Sequence, residues 1–275
     1  MSERSDYPAG VPCWVDTLQP DPDAAMRFYG ELFGWEFEGP GAMPGNPRGR
    51  YYVATLRGTE VAGIGSLPPE DQSTLVAWNT DVAVKSVEDA ASRVARAGGE
   101  ILLGPIDAAP AGRLAAVRDP AGATLCLWEA QARQGAQLVN EPSAWAMSAL
   151  QTTDPDRAIE FYADLFGWQP EPLAVEEAQL TLWRLPGYVG GEPQQPVPRD
   201  VVAAMIPLAK GDGRTSQWSV DFWIDDADAA AAKTPELGGR VLVAPHDIPG
   251  FRRTVLADPA GAAFSVSQLQ VGAGR

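Results

Sequence analysis

The chain has 275 residues, 45% of them hydrophobic and 21% charged, with a formal net charge of −15. That is enough chain for two ordinary domains, and the acid excess leaves little basic surface to displace counterions from nucleic acid or to bind an anionic membrane. Cys13 and Cys126 are too few for a disulfide framework, residues 1–10 lack an apolar signal core, and no apolar run nears the ~18 residues of a membrane span, so a cytoplasmic protein is expected.

In chain order, a first strand carries Trp14, Asp16 and Leu18 on one face. A helix follows, with Asp21 as N-cap, Pro22 at its first position and Gly34 as its stop, and Met26, Tyr29 and Phe33 form its apolar stripe. After Trp35 and a set of short strands comes NTDVAV, residues 79–84, where Thr80, Val82 and Val84 should pack on a helix and Asn79, Asp81 and Ala83 face away. The next helix starts at Ser86 and stops at Gly98. The strand before DPAGA (119–123) alternates Arg113, Ala115 and Val117 with its other face, and the last strand alternates Thr124, Cys126 and Trp128 with Leu125 and Leu127.

The pattern then repeats. PDAAMRFYGELFGW (22–35) returns as PDRAIEFYADLFGW (155–168), GGEILLGPID (98–107) as GGRVLVAPHD (238–247), and DPAGA (119–123) as DPAGA (258–262). Three matches in one order at nearly one offset indicate duplication, and the period is too long for a solenoid. The boundaries are a first module at 1–131, a linker at 132–141 and a second module at 142–275, with an inserted loop near 190–200. The same alternation gives Trp145, Met147 and Ala149, then Ser219, Asp221 and Trp223, then Arg252, Thr254 and Leu256, and finally Ala263, Ser265 and Ser267. Six tryptophans pair across the repeats as Trp14 with Trp145, Trp35 with Trp168, and Trp78 with Trp218. The second helix of the second copy carries Pro235, which should kink or break it.

The run of strand, PDxAxxFYxxLFGW, central strand, DxxxA helix, GGxxxxxPxD and DPAG turn resembles the two-module proteins of the vicinal-oxygen-chelate superfamily (glyoxalase, bleomycin-resistance and extradiol-dioxygenase type). It is similar to actinobacterial two-module members found in antibiotic gene clusters and described as hydroxylases or glyoxalases. The resemblance implies an α+β fold, tandem βαβββ modules pairing into curved, barrel-like sheets, with helices outside and a ligand cup on each concave face. It also implies metal-ligand positions at Trp14, Asn79 and Cys126 in the first copy and Trp145, Ser219 and Ser265 in the second. None of these is His, Glu or Asp, the ligands a hard or borderline divalent ion wants, usually three or more of them. No metal and no other cofactor is therefore expected.

By strand parity the cups would be lined by Trp14, Asp16, Asn79, Arg113, Cys126 and Trp128 in the first copy. Trp145, Met147, Ser219, Trp223, Arg252 and Ser265 would line the second. The tryptophans in these rows either stack on a flat ligand or simply fill the cup. Asp81 and Asp221 are the candidate catalytic groups, as general bases of raised pKa, or else partners of Arg113 and Arg252. Cys126 has no histidine to activate it and reads as a buried thiol. The expected function is metal-free binding of a flat, hydrophobic, aromatic polyketide-like metabolite, in secondary metabolism or resistance. The alternative is a metal-independent isomerase, cyclase or accessory hydroxylase using a cup-facing Asp, and a metal-dependent glyoxalase or dioxygenase is disfavoured. The partner is a small molecule, and the chain is expected to be a monomer or homodimer.

Overall fold

The computed structural model describes residues 3–43, 46–67, 76–175, 178–190, 198–209 and 213–270. In the first repeat these form β1 (Pro12–Gln19), α1 (Pro22–Phe33), β2 (Glu36–Met43), β3 (Asn46–Leu56), β4 (Thr59–Ser66), β5 (Trp78–Ala83), α2 (Val87–Arg96), β6 (Glu100–Asp107), β7 (Gly112–Arg118) and β8 (Thr124–Ala130). The second repeat runs through β9 (Trp145–Thr152), α3 (Pro155–Phe166), β10 (Gln169–Val175), β11 (Ala178–Arg184), β12 (Val201–Pro207), β13 (Gln217–Trp223), α4 (Ala227–Glu236), β14 (Arg240–Ile248), β15 (Phe251–Ala257) and β16 (Ala263–Leu269). Each repeat thus holds two βαβββ units, which join edge to edge into one eight-stranded sheet. The orders are β2-β3-β4-β1-β5-β8-β7-β6 and β10-β11-β12-β9-β13-β16-β15-β14. The glyoxalase-like architecture is as expected, but the pairing of units occurs inside each repeat. Part of the inserted loop near 190–200 lies outside the described residues. Among the described residues, no helix is long and apolar enough to cross a membrane.

The helix punctuation follows local chemistry. Asp21 and Asp154 accept from the backbone N–H groups of Ala24 (3.0 Å) and Arg157 (3.2 Å), and Gly34 and Gly167 close α1 and α3 at φ 74° and 75°, where a Cβ would be strained. Ser86 caps α2. Pro235 does not break α4 early: the helix ends one residue later, at Glu236, so the proline sits in the last turn and removes few intrahelical bonds.

The repeats are held together by reciprocal contacts of their first helices. α1 buries Phe28, Tyr29 and Phe33 in one core with Val220, Phe222 and Phe264 of the other repeat. α3 does the same with Phe161, Tyr162 and Phe166 against Val82, Leu125 and Leu127. Polar groups lock both crossings. Tyr29 OH donates to Asp258 Oδ2 at 3.0 Å and accepts from Trp78 Nε1 at 3.0 Å. Its counterpart Tyr162 OH donates to Asp119 Oδ2 at 3.0 Å and accepts from Trp218 Nε1 at 3.0 Å. The indole N–H groups of Trp35 and Trp168 reach across to the carbonyls of Ser143 and Gly10. Trp35, Trp168, Trp78 and Trp218 are all buried.

Candidate functional site

With the helices on one side, each sheet leaves a concave face, and the two faces differ. The first cup encloses a cavity of about 100 Å³ whose lining includes Trp14, Asp16, Tyr51, Asp81, Leu114 and Trp128. Its floor is a chain of hydrogen bonds. Trp14 Nε1 donates to Tyr51 OH (2.8 Å), Tyr51 OH donates to Asp16 Oδ2 (3.0 Å), and Asn79 Nδ2 donates to Asp16 Oδ1 (2.9 Å). Asp81 lies one register step away, opposite Trp14 on β1 and opposite Cys126 on β8. The Asp81 Oδ1 is buried without a hydrogen-bond partner.

Burial pushes the Asp81 carboxyl well above the usual range, and the nearby Asp16 carboxylate pushes it further. Burial also raises Asp16, against the hydrogen bonds from Asn79 and Tyr51. Burial and the neighbouring acids raise the Cys126 thiol, so it is a poor nucleophile. The segment after β8 covers this cup: the Arg133 guanidinium lies 5.4 Å from the Trp14 ring centroid, is held by both oxygens of Glu60, and its carbonyl accepts from Trp128 Nε1.

The second cup is larger, about 240 Å³, and its walls include Trp145, Trp223, Phe251, Leu180, Leu182 and Met147. Polar groups gather on one side. Asp221 Oδ1 accepts from Ser265 Oγ (2.6 Å) and Ser267 Oγ (2.8 Å), and Arg253 Nη2 donates to Ser265 Oγ (2.8 Å). Arg253 Nε stands 3.5 Å from Asp221 Oδ1, a charge contact without a hydrogen bond, and the Trp145 indole N–H is buried with no acceptor. Ser219 lines the same cavity, its hydroxyl donating to the Ala149 carbonyl at 3.1 Å.

The difference in size has a local cause. Strand register makes Gly63 equivalent to Ala204, since they pair with Asp16 and Ala149, and Tyr51 on β3 equivalent to Leu180 on β11. A Cβ on Gly63 would stand 1.9 Å from Tyr51 OH, so the glycine admits the tyrosine that fills the first cup. In the second repeat the smaller leucine leaves the space open.

The sequence-derived rows need two corrections. Arg113 and Arg252 do not face the cups: they pair with Glu88 and Asp228, in the first turns of α2 and α4. The β7–β8 and β15–β16 registers explain this, because directly opposed residues share a face. Leu114 is opposite Trp128 and Arg253 opposite Ser267, whereas Ala115 and Val117 lie opposite Leu127 and Leu125 and join the helix-side core. The second correction concerns Trp145. Trp14 and Met147 each pair with the equivalent Asp81 and Asp221, so Trp14 corresponds to Met147, Asp16 to Ala149, and Trp145 to Pro12. The remaining expected residues lie on the concave faces as described. Strand parity missed Tyr51, Leu114 and Arg133 in the first cup, and Arg253, Phe251, Leu180 and Leu182 in the second.

The superfamily's metal positions can now be tested on their chemistry. In the first cup Trp14 and Asn79 present N–H groups already donated to Tyr51 and Asp16, and burial raises the Cys126 thiol well above its usual pKa, which disfavours the thiolate that would bind an ion. In the second cup Met147 replaces Trp145 at the first position, beside Ser219 and Ser265, and Ser265 is bonded to Asp221. Among the described residues no three His, Cys, Asp or Glu side chains converge to hold an ion. These side chains do not fit a divalent cation.

Comparisons with known proteins place this geometry. The glyoxalase-like domain family matches residues 14–128 and again 147–267. CFP32 of Mycobacterium tuberculosis, which carries a glyoxylase name, is 37% identical over 270 residues, 97% of each chain. The anthracycline biosynthesis protein DnrV of Streptomyces peucetius is 31% identical, over 97% of this chain and 96% of its own. Among solved structures, the Mn(II)-bound glyoxalase from Novosphingobium aromaticivorans superposes with a TM-score of 0.63 at 15% identity, covering 95% of this chain and 83% of that one. The 2,2',3-trihydroxybiphenyl 1,2-dioxygenase of Sphingomonas wittichii gives 0.58 at 14% identity, covering 96% and 92%. Two family matches in tandem, full-length relatives and four βαβββ units agree: the chain belongs to the glyoxalase-like domain family.

Proposed function

We propose that this protein binds a flat, apolar, aromatic small molecule in its second cup, without a resident divalent metal. The observation that carries this reading is the aromatic-walled cavity of about 240 Å³ with the hydrogen-bonded Asp221 in its lining. Sites of this kind bury a ligand's apolar faces and orient it through few polar contacts. The relatives named for anthracycline biosynthesis support a flat polycyclic partner. Asp221, already engaged by Ser265, Ser267 and Arg253, positions these groups. The test is titration of intrinsic tryptophan fluorescence with planar aromatic polyketides, with metal content measured on the same sample. Saturable quenching without stoichiometric metal is expected; stoichiometric metal with no quenching by any planar compound would overturn the reading.

A second reading is favoured by one feature, the unpartnered Asp81 Oδ1 in the first cup. A carboxyl whose buried, acid-flanked setting favours its protonated form can donate a proton to a bound carbonyl or enolate. In that case Asp81→Asn removes turnover of the bound ligand while leaving its affinity in the second cup unchanged.

A further inference from the structure

Buried polar side chains nearly always find hydrogen-bond partners, because an orphan forfeits the solvation it had in water. Among the described residues four buried side-chain atoms have none: Asp81 Oδ1, Trp145 Nε1, Trp183 Nε1 and Arg253 Nε. Trp183 is enclosed in the core, its ring 6.0 Å from Tyr162 and 5.8 Å from Trp168, and borders neither cup. Trp145 and Arg253 both line the second cup. The acceptor nearest to Arg253 Nε, Asp221 Oδ1, is already taken by two serine hydroxyls. Two residues in the lining of the larger cup thus carry N–H donors that no protein acceptor satisfies, beside aromatic and aliphatic side chains.

The two donors belong to one level of the sheet. Trp223 pairs with Ser267, and Ser267 with Arg253. Trp145 enters at the same end, where its strand shifts register beside Phe222 and where the Trp223 N–H bonds to the Ala144 carbonyl at 3.0 Å. The donors thus come from β9 and β15, the strands flanking the central pair β13 and β16, while Trp223 stands between them.

From this arrangement we infer that the second cup selects planar ligands bearing oxygen acceptors of the carbonyl or quinone type, held by the Trp145 indole N–H and the Arg253 Nε–H. These donors supply the electrophilic contact to a carbonyl oxygen that the side chains at the superfamily's metal positions cannot supply here through an ion. The inference rests on the aromatic-cup reading above and deepens it.

The test uses a matched pair of water-soluble probes, anthraquinone-2-sulfonate and anthracene-2-sulfonate, which share ring size and charge and differ in the two carbonyls. Dissociation constants are read by calorimetry and by tryptophan quenching on the full chain. The quinone is expected to bind at least tenfold more tightly than the hydrocarbon. Trp145→Phe, which keeps an aromatic wall but removes the N–H, should weaken the quinone roughly tenfold, the equivalent of one hydrogen bond, and leave the hydrocarbon within twofold. Arg253→Gln should act in the same selective way, and serves if Trp145→Phe perturbs folding. Equal binding of both probes to the wild-type protein, or equal losses for both in the variants, would refute the donor pair while leaving the aromatic cup standing. Failure of both probes to bind the wild type would overturn the aromatic cup and the donor assignment with it.

Discussion

Replacing Tyr29 by Phe removes one oxygen from the junction between the repeats, and the structure sets the size of the effect. The hydroxyl donates to the buried Asp258 carboxylate and accepts from the buried Trp78 indole. Asp258 keeps Gln19 Nε2 at 2.7 Å and the backbone N–H groups of Ala260 and Ala262, so it loses one donor of four. A hydrogen bond to a charged group contributes about 1.5–3 kcal/mol, and an orphaned buried N–H costs about 1–3 kcal/mol. Little cavity is created, because only the oxygen is lost. Tyr29→Phe should therefore lower unfolding stability by roughly 3–5 kcal/mol. Chemical denaturation followed by far-ultraviolet circular dichroism measures this directly. A double-mutant cycle with Asp258→Asn should show a coupling of at least about 1 kcal/mol, since the groups touch. Tyr162→Phe, facing Asp119 and Trp218, should behave alike. If Tyr29→Phe costs less than about 1 kcal/mol, or if the Asp258 variant adds to it with no coupling, the junction is not held as described.

Asp81 gives a pH prediction. Its folded-state pKa is raised, by burial first and Asp16 second, so between the ordinary carboxylate range and that raised value the native state binds more protons than the unfolded chain. Stability is then highest in acid and falls as pH rises through that window. Asp81→Asn should flatten the profile and be more stable than wild type at neutral pH, and a variant less stable at neutral pH would contradict the assignment. Gly63→Ala should displace Tyr51 and destabilise by about 1–3 kcal/mol, as over-packing does. Adding Tyr51→Leu, which copies the Ala204–Leu180 pair of the second repeat, should restore most of the loss in thermal denaturation. Arg252→Ala should leave affinity for a quinone probe unchanged while Arg253→Gln weakens it; the reverse ranking would reinstate Arg252 in the cup. Incubation with a chelator or with excess Mn(II) should leave the thermal midpoint unchanged, and a rise with Mn(II) that the chelator reverses would show a specific ion site that the donor chemistry does not predict.

Much of the architecture was legible because it is written in local chemistry. The Asp-Pro helix starts, the glycine stops and the tandem matches at nearly one offset depend on neighbours a few residues away, and the duplication repeats them. Alternation placed Asp81, Asp221, Trp128 and Trp223 correctly, because in β5, β8 and β13 the apolar and polar rows differ. It failed in β7, where GRLAAVR puts small or apolar residues on both faces, so that only pairing with β8 decides which row is buried. The tryptophans of β1 and β9 misled for a related reason: one indole stands near the start of each strand, and only the pairing of Met147 with Asp221 shows that the two are offset by two residues.

The sequence by itself determined a duplicated chain of βαβββ units, its capped helices, its aromatic core positions, and the absence of His, Glu and Asp from the superfamily's metal positions. Only the tertiary structure decided that Tyr29 meets Asp258 and Tyr162 meets Asp119 across the repeats, and that Tyr51 fills one cup while Leu180 opens the other. It alone placed Arg253 and the Trp145 N–H in the larger cavity. The division has a physical basis. Helix caps and alternation depend on near neighbours along the chain. A cavity's volume and its unpaired donors depend on which distant strands stand side by side, and a one-residue change of register turns a cup-facing side chain to the opposite face.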